Sequence, residues 1–491
     1  MATKELKAKM TNKEPLDKPV SASKLKEFAK IFKDVNIDDL ETIEITALQD
    51  LRNEYDQIVD PRVPEQVHFI LSETVLIVLL GVLSNCNEWE EIKLFADAHE
   101  AWLKKFLKLE YGIPSIRTMQ RVMESIDEQM LEEISLNYFL KFVQMATANS
   151  KAEVAAFKEN DKIEQNGITR VNEIDDWLKA AESGQTDKNI DILAFDGKVS
   201  KSSKRKETDQ SPEHRMLDTL SAYSVSLGSC LRSEFIPQKA NEITSMPSLL
   251  NKIGIAGAVV TCDALNTQTG IVKLIIERGA DYVMPVKGNK KTLYGDFQTI
   301  FDEPTLERIR EQNDNSQYLR TQKREQGTMV IREYFLITDF DGLYKADEWD
   351  GLKAIGLARR TVVTVDPKTK ETITTYEDRY YISSLVSIIH FAQSVRGHWN
   401  IENSLHWQLD YTFKDDSNKT TAENGAKGLQ IIKKLSLTIL KVLQAVSPPR
   451  TSLKSLRFVL SMLFEKKIAV LLNLFNADVI DRVGSLVQNK I

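Results

Sequence analysis

Two aspartates lie where an α/β sheet could use them for metal-dependent chemistry. Asp196 ends the buried strand predicted for IDILAF, and Asp263 ends the one predicted for AVVTC. In open α/β sheets, functional sites form just beyond the carboxyl ends of parallel strands. Two neighbouring carboxylates raise each other's pKa, and a divalent cation relieves that cost. Carboxylate oxygens used without a His or Cys ligand favour Mg²⁺ or Mn²⁺ over zinc. A turn or N-cap role is about as common, because Asp-Gly at 196–197 also suits a turn.

A third acid, Glu402, lies in the segment RGHWNIENSLHWQLDYTF. On a helix, His398, Glu402, His406 and Asp410 would follow at four-residue spacing and form one polar stripe. That stripe would place Glu402 at the edge of a buried face, looking out over the sheet. The alternative is a solvated helix face with two incidental histidines. A zinc site is disfavoured, because eight residues separate the two histidines by about 12 Å along a helix.

Basic side chains cluster near both aspartates. One cluster begins with Lys198, two residues after Asp196, and a second begins with Lys287, after the third buried strand. Lys and Arg beside metal-binding acids are what a phosphate backbone requires. The alternative is that these lysines are solvated surface charges with no binding role, which is the commoner case for isolated lysines. Two such clusters next to strand ends that carry Asp favour a nucleic acid as the partner.

The elements that must position these residues follow from changes in hydrophobic period. The order predicted after residue 189 is β-β-β-α-β-α-β, with IDILAF, AVVTC and DYVMPV as buried strands. Residues 305–385 are rich in Val, Ile, Thr and Tyr, which predicts antiparallel strands. Helices are predicted over 387–410, 425–446 and 451–475. The stretch 67–147 is predicted to be helical, and its segment SIRTMQRVMESI resembles the recognition helix of a helix-turn-helix, although an ordinary packed helix is the commoner source.

Composition limits the class of protein. The chain has 491 residues, which predicts two to four domains, and its 42% hydrophobic and 28% charged residues suit a soluble globular protein. Three scattered cysteines exclude a disulfide framework and a Cys-rich metal site.

The first residues do not resemble a signal peptide, and the apolar stretch 70–83 is too short to span a bilayer, so a cytoplasmic protein is expected. The net charge of −6 counts mildly against DNA, but local patches matter more than the sum.

Several motifs together resemble one family, the H-repeat-associated (ISAs-type) insertion-sequence transposases of the DDE superfamily. The matching motifs are DILAFDGKVSKSS, QKANEITSMP, AVVTCDALNTQ, DYVMPVKGN, RYYISSL and RGHWNIENSLHWQLDYTFKDD. The resemblance covers about 60–445 and implies an α/β ribonuclease-H-like catalytic core with a β-rich insertion, preceded by an all-α N-terminal domain and followed by C-terminal helices. The expected divisions are an N-terminal helical extension (1–59), a helical DNA-binding domain (60–147), a polar linker or insertion (148–188), the core (189–445, with the insertion at about 305–385) and the C-terminal helices (446–491).

The resemblance also implies an activity. Asp196, Asp263 and Glu402 would be the catalytic triad and the ligands of two Mg²⁺ or Mn²⁺ ions. The implied reaction is metal-dependent DNA cleavage at insertion-sequence ends, followed by strand transfer into target DNA. The implied partners are the terminal inverted repeats, the target DNA and further copies of the chain in a homodimer or larger assembly. No membrane is involved, and the expected location is the bacterial cytoplasm, at the nucleoid.

Other roles stay open at this point. The DNA contacts predicted near the site are Lys198, Lys287, Asn289, His398, Asn403 and His406, of which the last and Asn403 could instead support the metal ligands. His398 stands where neighbouring families carry an Arg. The main alternative function is a catalytically silent DNA-binding relic or a co-opted transposase. An unrelated two-carboxylate hydrolase, such as a glycosidase, would explain Asp196 and Glu402 but not the lysine clusters.

Overall fold

The structure, a computed structural model, describes most of the chain between residues 48 and 462. The described ranges are 48–49, 51–135, 137, 191–203, 216–225, 228–237, 240–312, 317–325, 328–365, 372–417, 420, 423–445 and 452–462. Most of the predicted N-terminal extension, the predicted linker and the end of the last predicted helix lie outside these residues.

The helices and strands of the described residues are as follows. The helices are α1 (Leu71–Leu83), α2 (Trp89–Ala98), α3 (Glu100–Leu103), α4 (Ile116–Ser125), α5 (Glu242–Asn251), α6 (Thr269–Glu277), α7 (Lys291–Ile300), α8 (Glu303–Gln312), α9 (Ile388–Ile401), α10 (Trp407–Tyr411), α11 (Glu423–Ala445) and α12 (Leu453–Met462). The strands are β1 (Ile192–Ser200), β2 (Leu217–Ser224), β3 (Ser229–Phe235), β4 (Val259–Cys262), β5 (Asp281–Val286), β6 (Tyr318–Glu325), β7 (Thr328–Ile337), β8 (Ala354–Val365) and β9 (Thr372–Ser383).

Contacts group the described residues into two compact units. The helical unit contains residues 48–127, Asn137 and the residues from Leu435 onward; the sheet unit contains 128–135 and 191–434. The predicted domain boundaries stay predictions.

In the helical unit, the most apolar stretch of the chain forms a core helix. Every residue of α1 is buried, including Glu73, whose carboxylate accepts hydrogen bonds from the backbone N–H groups of Lys108 and Leu109 at 2.8 and 3.2 Å. These bonds satisfy a carboxylate that would otherwise be costly to bury. Ser115 caps α4 by accepting from the Thr118 N–H, as Ser does at helix starts. Among the described residues, no helix combines the length and apolarity needed to cross a membrane.

The sheet unit is built on one mixed sheet with the strand order β3-β2-β1-β4-β5-β9-β8-β7-β6. Strands β1, β4 and β5 are parallel to one another, and all other neighbouring pairs are antiparallel. The predicted order of elements over 189–286 is confirmed, as are the antiparallel strands β7, β8 and β9. Strand β6 was not predicted. The strand-rich segment continues the core sheet through the β5–β9 pairing instead of forming a sheet of its own.

The predicted turn at 196–197 is wrong, because β1 runs on to Ser200. Strand β2 pairs with β1 along its whole length, from Leu193↔Ser224 to Ser200↔Leu217, and keeps it extended. Only the parallel pairing with β4 stops early, at Phe195↔Cys262. Asp196 therefore lies in mid-strand, one residue beyond the end of the parallel ladder.

Each face of the sheet packs on its own core, and this decides where the aspartates point. Leu193 and Phe195 of β1 belong to the core that includes α5 and α6. The opposite face packs on α9. Because side chains alternate along a strand, Asp196 lies on the α9 side. Gly397 lets α9 approach closely, since a Cβ there would lie 2.9 Å from the Ile192 side chain.

Candidate active site

The three predicted acids line one cavity of about 480 Å³. Asp196 comes from mid-β1 and Asp263 follows directly on β4. Glu402 is the first residue after α9. The Glu402 and Asp263 side chains are 58% and 51% exposed, so both face the cavity's open side, whereas that of Asp196 is 17% exposed. The sheet and α9 thus bring together three acids that are widely separated in the chain.

His406 is buried beside two of these acids. Its Nδ1 lies 3.3 Å from Asp196 Oδ2 and 3.8 Å from Glu402 Oε2. The ligand atoms of Asp196, Glu402 and His406 all lie within 4.8 Å of one another, a group that could hold a metal ion. The Nε2 of His406 is buried and has no hydrogen-bond partner among the described residues. The alternative of a solvated helix face is wrong at this position.

A π-helical turn over Glu402–His406 connects α9 to α10. Its defining bond runs from the Trp407 N–H to the Glu402 carbonyl, five residues back rather than four. Single π turns inside helices are frequent at functional sites. The predicted helix therefore continues through 388–411, but with an irregular turn at the acid.

Lys198 was predicted as a DNA contact, and the structure buries its side chain. Its ammonium is buried among three carboxylates, at 2.6 Å from Asp410 Oδ1, 3.3 Å from Asp416 Oδ1 and 3.8 Å from Asp415 Oδ2. Burial alone would lower the pKa of Lys198, but the hydrogen bond to Asp410 and the neighbouring negative charges raise it. This network was not predictable, because the partners of Lys198 lie more than 200 residues further along the chain. Lys198 instead ties β1 to α10.

The loop after β4 is held by two amide side chains. Asn289 donates to the Ala264 carbonyl at 2.9 Å, so one of the predicted DNA contacts has a structural bond here. The buried Asn266 donates to Glu242 Oε2, also at 2.9 Å. Lys287 stands on the exposed side, with its Nζ 3.6 Å from Asp263 Oδ1.

Sequence reasoning gave no role to Glu242, which lies close enough to feel the two aspartates but does not line their cavity. Burial raises the pKa of Glu242; Asn266 opposes the shift, and the charges of Asp196, Asp218 and Asp263 add to it. Its carboxylate lies against Gly197, where a Cβ would be 2.2 Å from Glu242 Oε1 and would require that side chain to move. The motif QKANEITSMP carried the signal, but only as part of the family resemblance.

The family is decided by the comparison with known sequence families. Residues 187–439, just over half of the chain, match the family described as Transposase DDE domain. The chain belongs to the DDE transposase family. Residues 53–139 match the domain described as associated with that DDE domain. The predicted resemblance is confirmed, and Asp196, Asp263 and Glu402 all lie within the DDE match.

Individual relatives of this DDE family member agree with that assignment. The chain is 28% identical over 387 residues to the H repeat-associated candidate transposase YhhI of Escherichia coli K12, covering 78% of this chain and 88% of that protein. It is 28% identical over 397 residues to the candidate transposase YncI of Escherichia coli O157:H7, covering 80% and 88%. A solved piggyBac transposase synaptic complex with hairpin DNA aligns with a TM-score of 0.30 and 10% identity, covering 89% of this chain and 79% of that one, and the assignment does not rest on it.

The two remaining predicted contacts lie on α9 and the π turn of this DDE domain. His398 Nδ1 lies 3.3 Å from Thr261 Oγ1, and burial lowers its pKa, although Asp196 and Asp263 pull in the other direction. A neutral imidazole is thus favoured there, unlike the permanent charge of an Arg. Asn403 is exposed and lines a different cavity from its neighbour Glu402.

Proposed function

We propose that this DDE family member cleaves DNA at the ends of an insertion sequence and transfers the freed strand into target DNA. The observation that carries the proposal is the meeting of Asp196, Asp263 and Glu402 in one open cavity within the DDE match. The sheet order β3-β2-β1-β4-β5, with β1, β4 and β5 parallel, supports a ribonuclease-H-like core.

The donor atoms fit a divalent metal centre. The carboxylates of Asp196, Asp263 and Glu402 would hold two Mg²⁺ or Mn²⁺ ions, since oxygen ligands suit both metals. When bound, the ions supply Lewis-acid stabilisation of the scissile phosphate and activation of the attacking water. His406 contacts Asp196 from the buried side and would orient that carboxylate rather than meet DNA.

The remaining side chains position the acids and the DNA. The Lys198–Asp410 bond fixes α10, and with it Glu402, against β1. Lys287 would meet a backbone phosphate on the exposed side of Asp263.

In the strand-transfer step, the new 3′-hydroxyl would attack a target phosphodiester, forming one P–O bond while the target's P–O bond breaks. Residues 60–147 would recognise the terminal repeats, and two or more copies of the chain would hold two ends.

The test is Mg²⁺-dependent cleavage of a linear duplex that carries the inverted repeats flanking the gene. Wild type should cut at the repeat ends, whereas Glu402→Ala should bind the duplex with unchanged affinity and leave it intact. Glu307→Ala, an exposed acid of α8, is the matched control and should cut like wild type. If wild type and Glu402→Ala both bind without cutting, the chain is a DNA-binding relic. Cleavage by Glu402→Ala would show that the site is misplaced.

A further inference from the structure

Glu242 is the first residue of α5, which packs on the face of the sheet opposite to the side chain of Asp196. A capping box fixes the start of this helix. The Asn241 side chain accepts from the Thr244 N–H, and the Thr244 hydroxyl accepts from the Asn241 N–H, both at 3.1 Å. Glu242 does not line the cavity of the three acids, so any role in the reaction must act through other residues.

The first contact of Glu242 is with the turn that carries Asp263. We call residues 263–266 the Asp263 turn; in it the Asn266 N–H donates to the Asp263 carbonyl at 2.9 Å. The fully buried Asn266 side chain donates to Glu242 Oε2 at 2.9 Å. Its Oδ1 has no hydrogen-bond partner among the described residues. In the part of the chain that the structure describes, the bond to Glu242 therefore orients this amide.

The opposite side of the Asp263 turn is tied to β5 and the loop after it. The Thr267 hydroxyl donates to the Pro285 carbonyl at 2.7 Å, and Asn289 donates to the Ala264 carbonyl at 2.9 Å. Neither of these bonds connects the turn to α5 or to β1. Glu242 supplies the connection on that side.

The second contact of Glu242 is with β1, one residue after Asp196. The three atoms nearest to a Cβ built at Gly197 all belong to the Glu242 side chain, with Oε1 at 2.2 Å and Cδ at 2.7 Å. Successive residues of a strand face opposite sides of the sheet, so Glu242 packs against the backbone on the far side from the Asp196 carboxylate. One side chain thus touches the elements that carry both aspartates.

We propose that Glu242 is a positioning residue of the metal centre that sets the spacing between Asp196 and Asp263. It holds the Asp263 turn through Asn266 while it packs against β1 at Gly197. The inference rests on the proposed function and adds to it a residue that touches neither metal nor DNA. Spacing matters because Mg²⁺ demands a nearly ideal octahedral arrangement of its oxygen ligands. Groups that orient metal ligands typically contribute about 10–100-fold to metal affinity.

The Mn²⁺ affinity of the full chain tests the proposal without requiring cleavage. Free Mn²⁺ is measured by electron paramagnetic resonance in titrations of wild type and variants without DNA. Glu242→Ala should weaken binding about 10–100-fold, because Asn266 loses its acceptor. Glu242→Gln should keep most of the affinity, since its amide oxygen can still accept from Asn266. Glu234→Ala is the matched control and should bind like wild type: its carboxylate also binds α5, through Ser248 at 3.1 Å and Lys252 at 2.6 Å, but at the other end of the helix.

Gly197→Ala gives a second, independent test of the same contact. The added methyl group would displace the Glu242 side chain, so this variant should weaken Mn²⁺ binding as Glu242→Ala does. In the Glu242→Ala background the same methyl group no longer meets that side chain and should cause no further loss. Effects that fail to add in this way identify residues in contact. Urea unfolding without metal shows that each variant is folded.

The outcomes separate this inference from the proposed function. Equal Mn²⁺ affinities for wild type and folded Glu242→Ala overturn the role of Glu242, even if Glu402→Ala still abolishes cutting. A Gln variant as weak as the Ala variant also overturns it, because the charge rather than the hydrogen bond would then matter. A weakened Ala variant with a retained Gln variant supports the role, even if wild type fails to cut DNA. A wild type that binds no Mn²⁺ overturns the metal centre and the role of Glu242 together.

Discussion

At the scale of single residues, His406 is the side chain whose surroundings constrain its role most tightly. It is 6% exposed, which leaves it almost no surface for DNA. If Nδ1 carries the proton, it donates to Asp196 Oδ2. Nε2, which has no partner among the described residues, is then a lone pair rather than a buried N–H group. That tautomer is favoured because an N–H without an acceptor carries the larger desolvation cost. Of the two roles predicted for His406, the placement favours support of the acids.

His406→Ala should therefore slow cleavage without weakening DNA binding. Groups that orient metal-binding side chains typically contribute about 10–100-fold to activity or metal affinity, and a loss of that size is expected. His406→Gln should recover part of the rate, since its amide can donate to Asp196. Single-turnover cleavage in Mg²⁺ and duplex affinity are the two measurements. His390→Ala, a half-buried histidine of α9, is the control. A His406→Ala rate equal to that of the control would contradict the role.

At the scale of elements, the packing of α10 against β1 depends on the buried ammonium group of Lys198. Lys198→Met should lower the free energy of unfolding by about 1–3 kcal/mol, because it removes a charged donor from Asp410 and Asp416, while the buried Asp415 keeps Lys433. It should also slow cleavage more than it weakens binding, since Glu402 loses its support. Urea unfolding and the cleavage assay measure the two effects. Lys201→Met is the matched control: it contacts the same Asp416 at 2.9 Å but is exposed, and it should change stability little.

Elements with strong apolar runs could be predicted from the sequence, and those that depend on distant partners could not. The runs before Asp196 and Asp263 identified β1 and β4, because buried parallel strands are continuously apolar. The extension of β1 beyond Asp196 depends on its pairing with β2, a strand that comes later in the chain. Strand β6, YLRTQKRE, is largely polar and gave no apolar signal. The π turn has no local signature in ENSLH, so the irregularity at Glu402 was not predictable.

At the scale of the whole molecule, charge is separated rather than spread. The chain is acidic overall, yet Lys287 and Arg379 both line the cavity of the three acids. Local charge of this kind can steer an anionic partner even when the net charge is negative. The mild argument against DNA from the net charge of −6 therefore loses its weight. The same sheet carries both features, because β9 joins the predicted insertion to the core strands.

The buried Lys–Asp network also predicts how stability depends on pH. Burial would raise the pKa of Asp415, but Lys433 and Lys198 outweigh it and hold that pKa below its ordinary value of 3.8. Because the pKa of Asp415 is lower in the folded chain than in the unfolded chain, the unfolded chain binds more protons between those two pKa values. The stability that Asp415 contributes is therefore present above pH 3.8 and is lost as the pH falls through the lower pKa of the folded chain. Asp415→Asn should flatten the decline in unfolding free energy below 3.8, although it lowers stability at neutral pH because Lys433 loses its partner at 3.0 Å. Urea titrations at a series of pH values measure this, and the exposed Asp341→Asn should keep the wild-type decline. Equal slopes for wild type and Asp415→Asn would mean that other carboxylates govern acid unfolding.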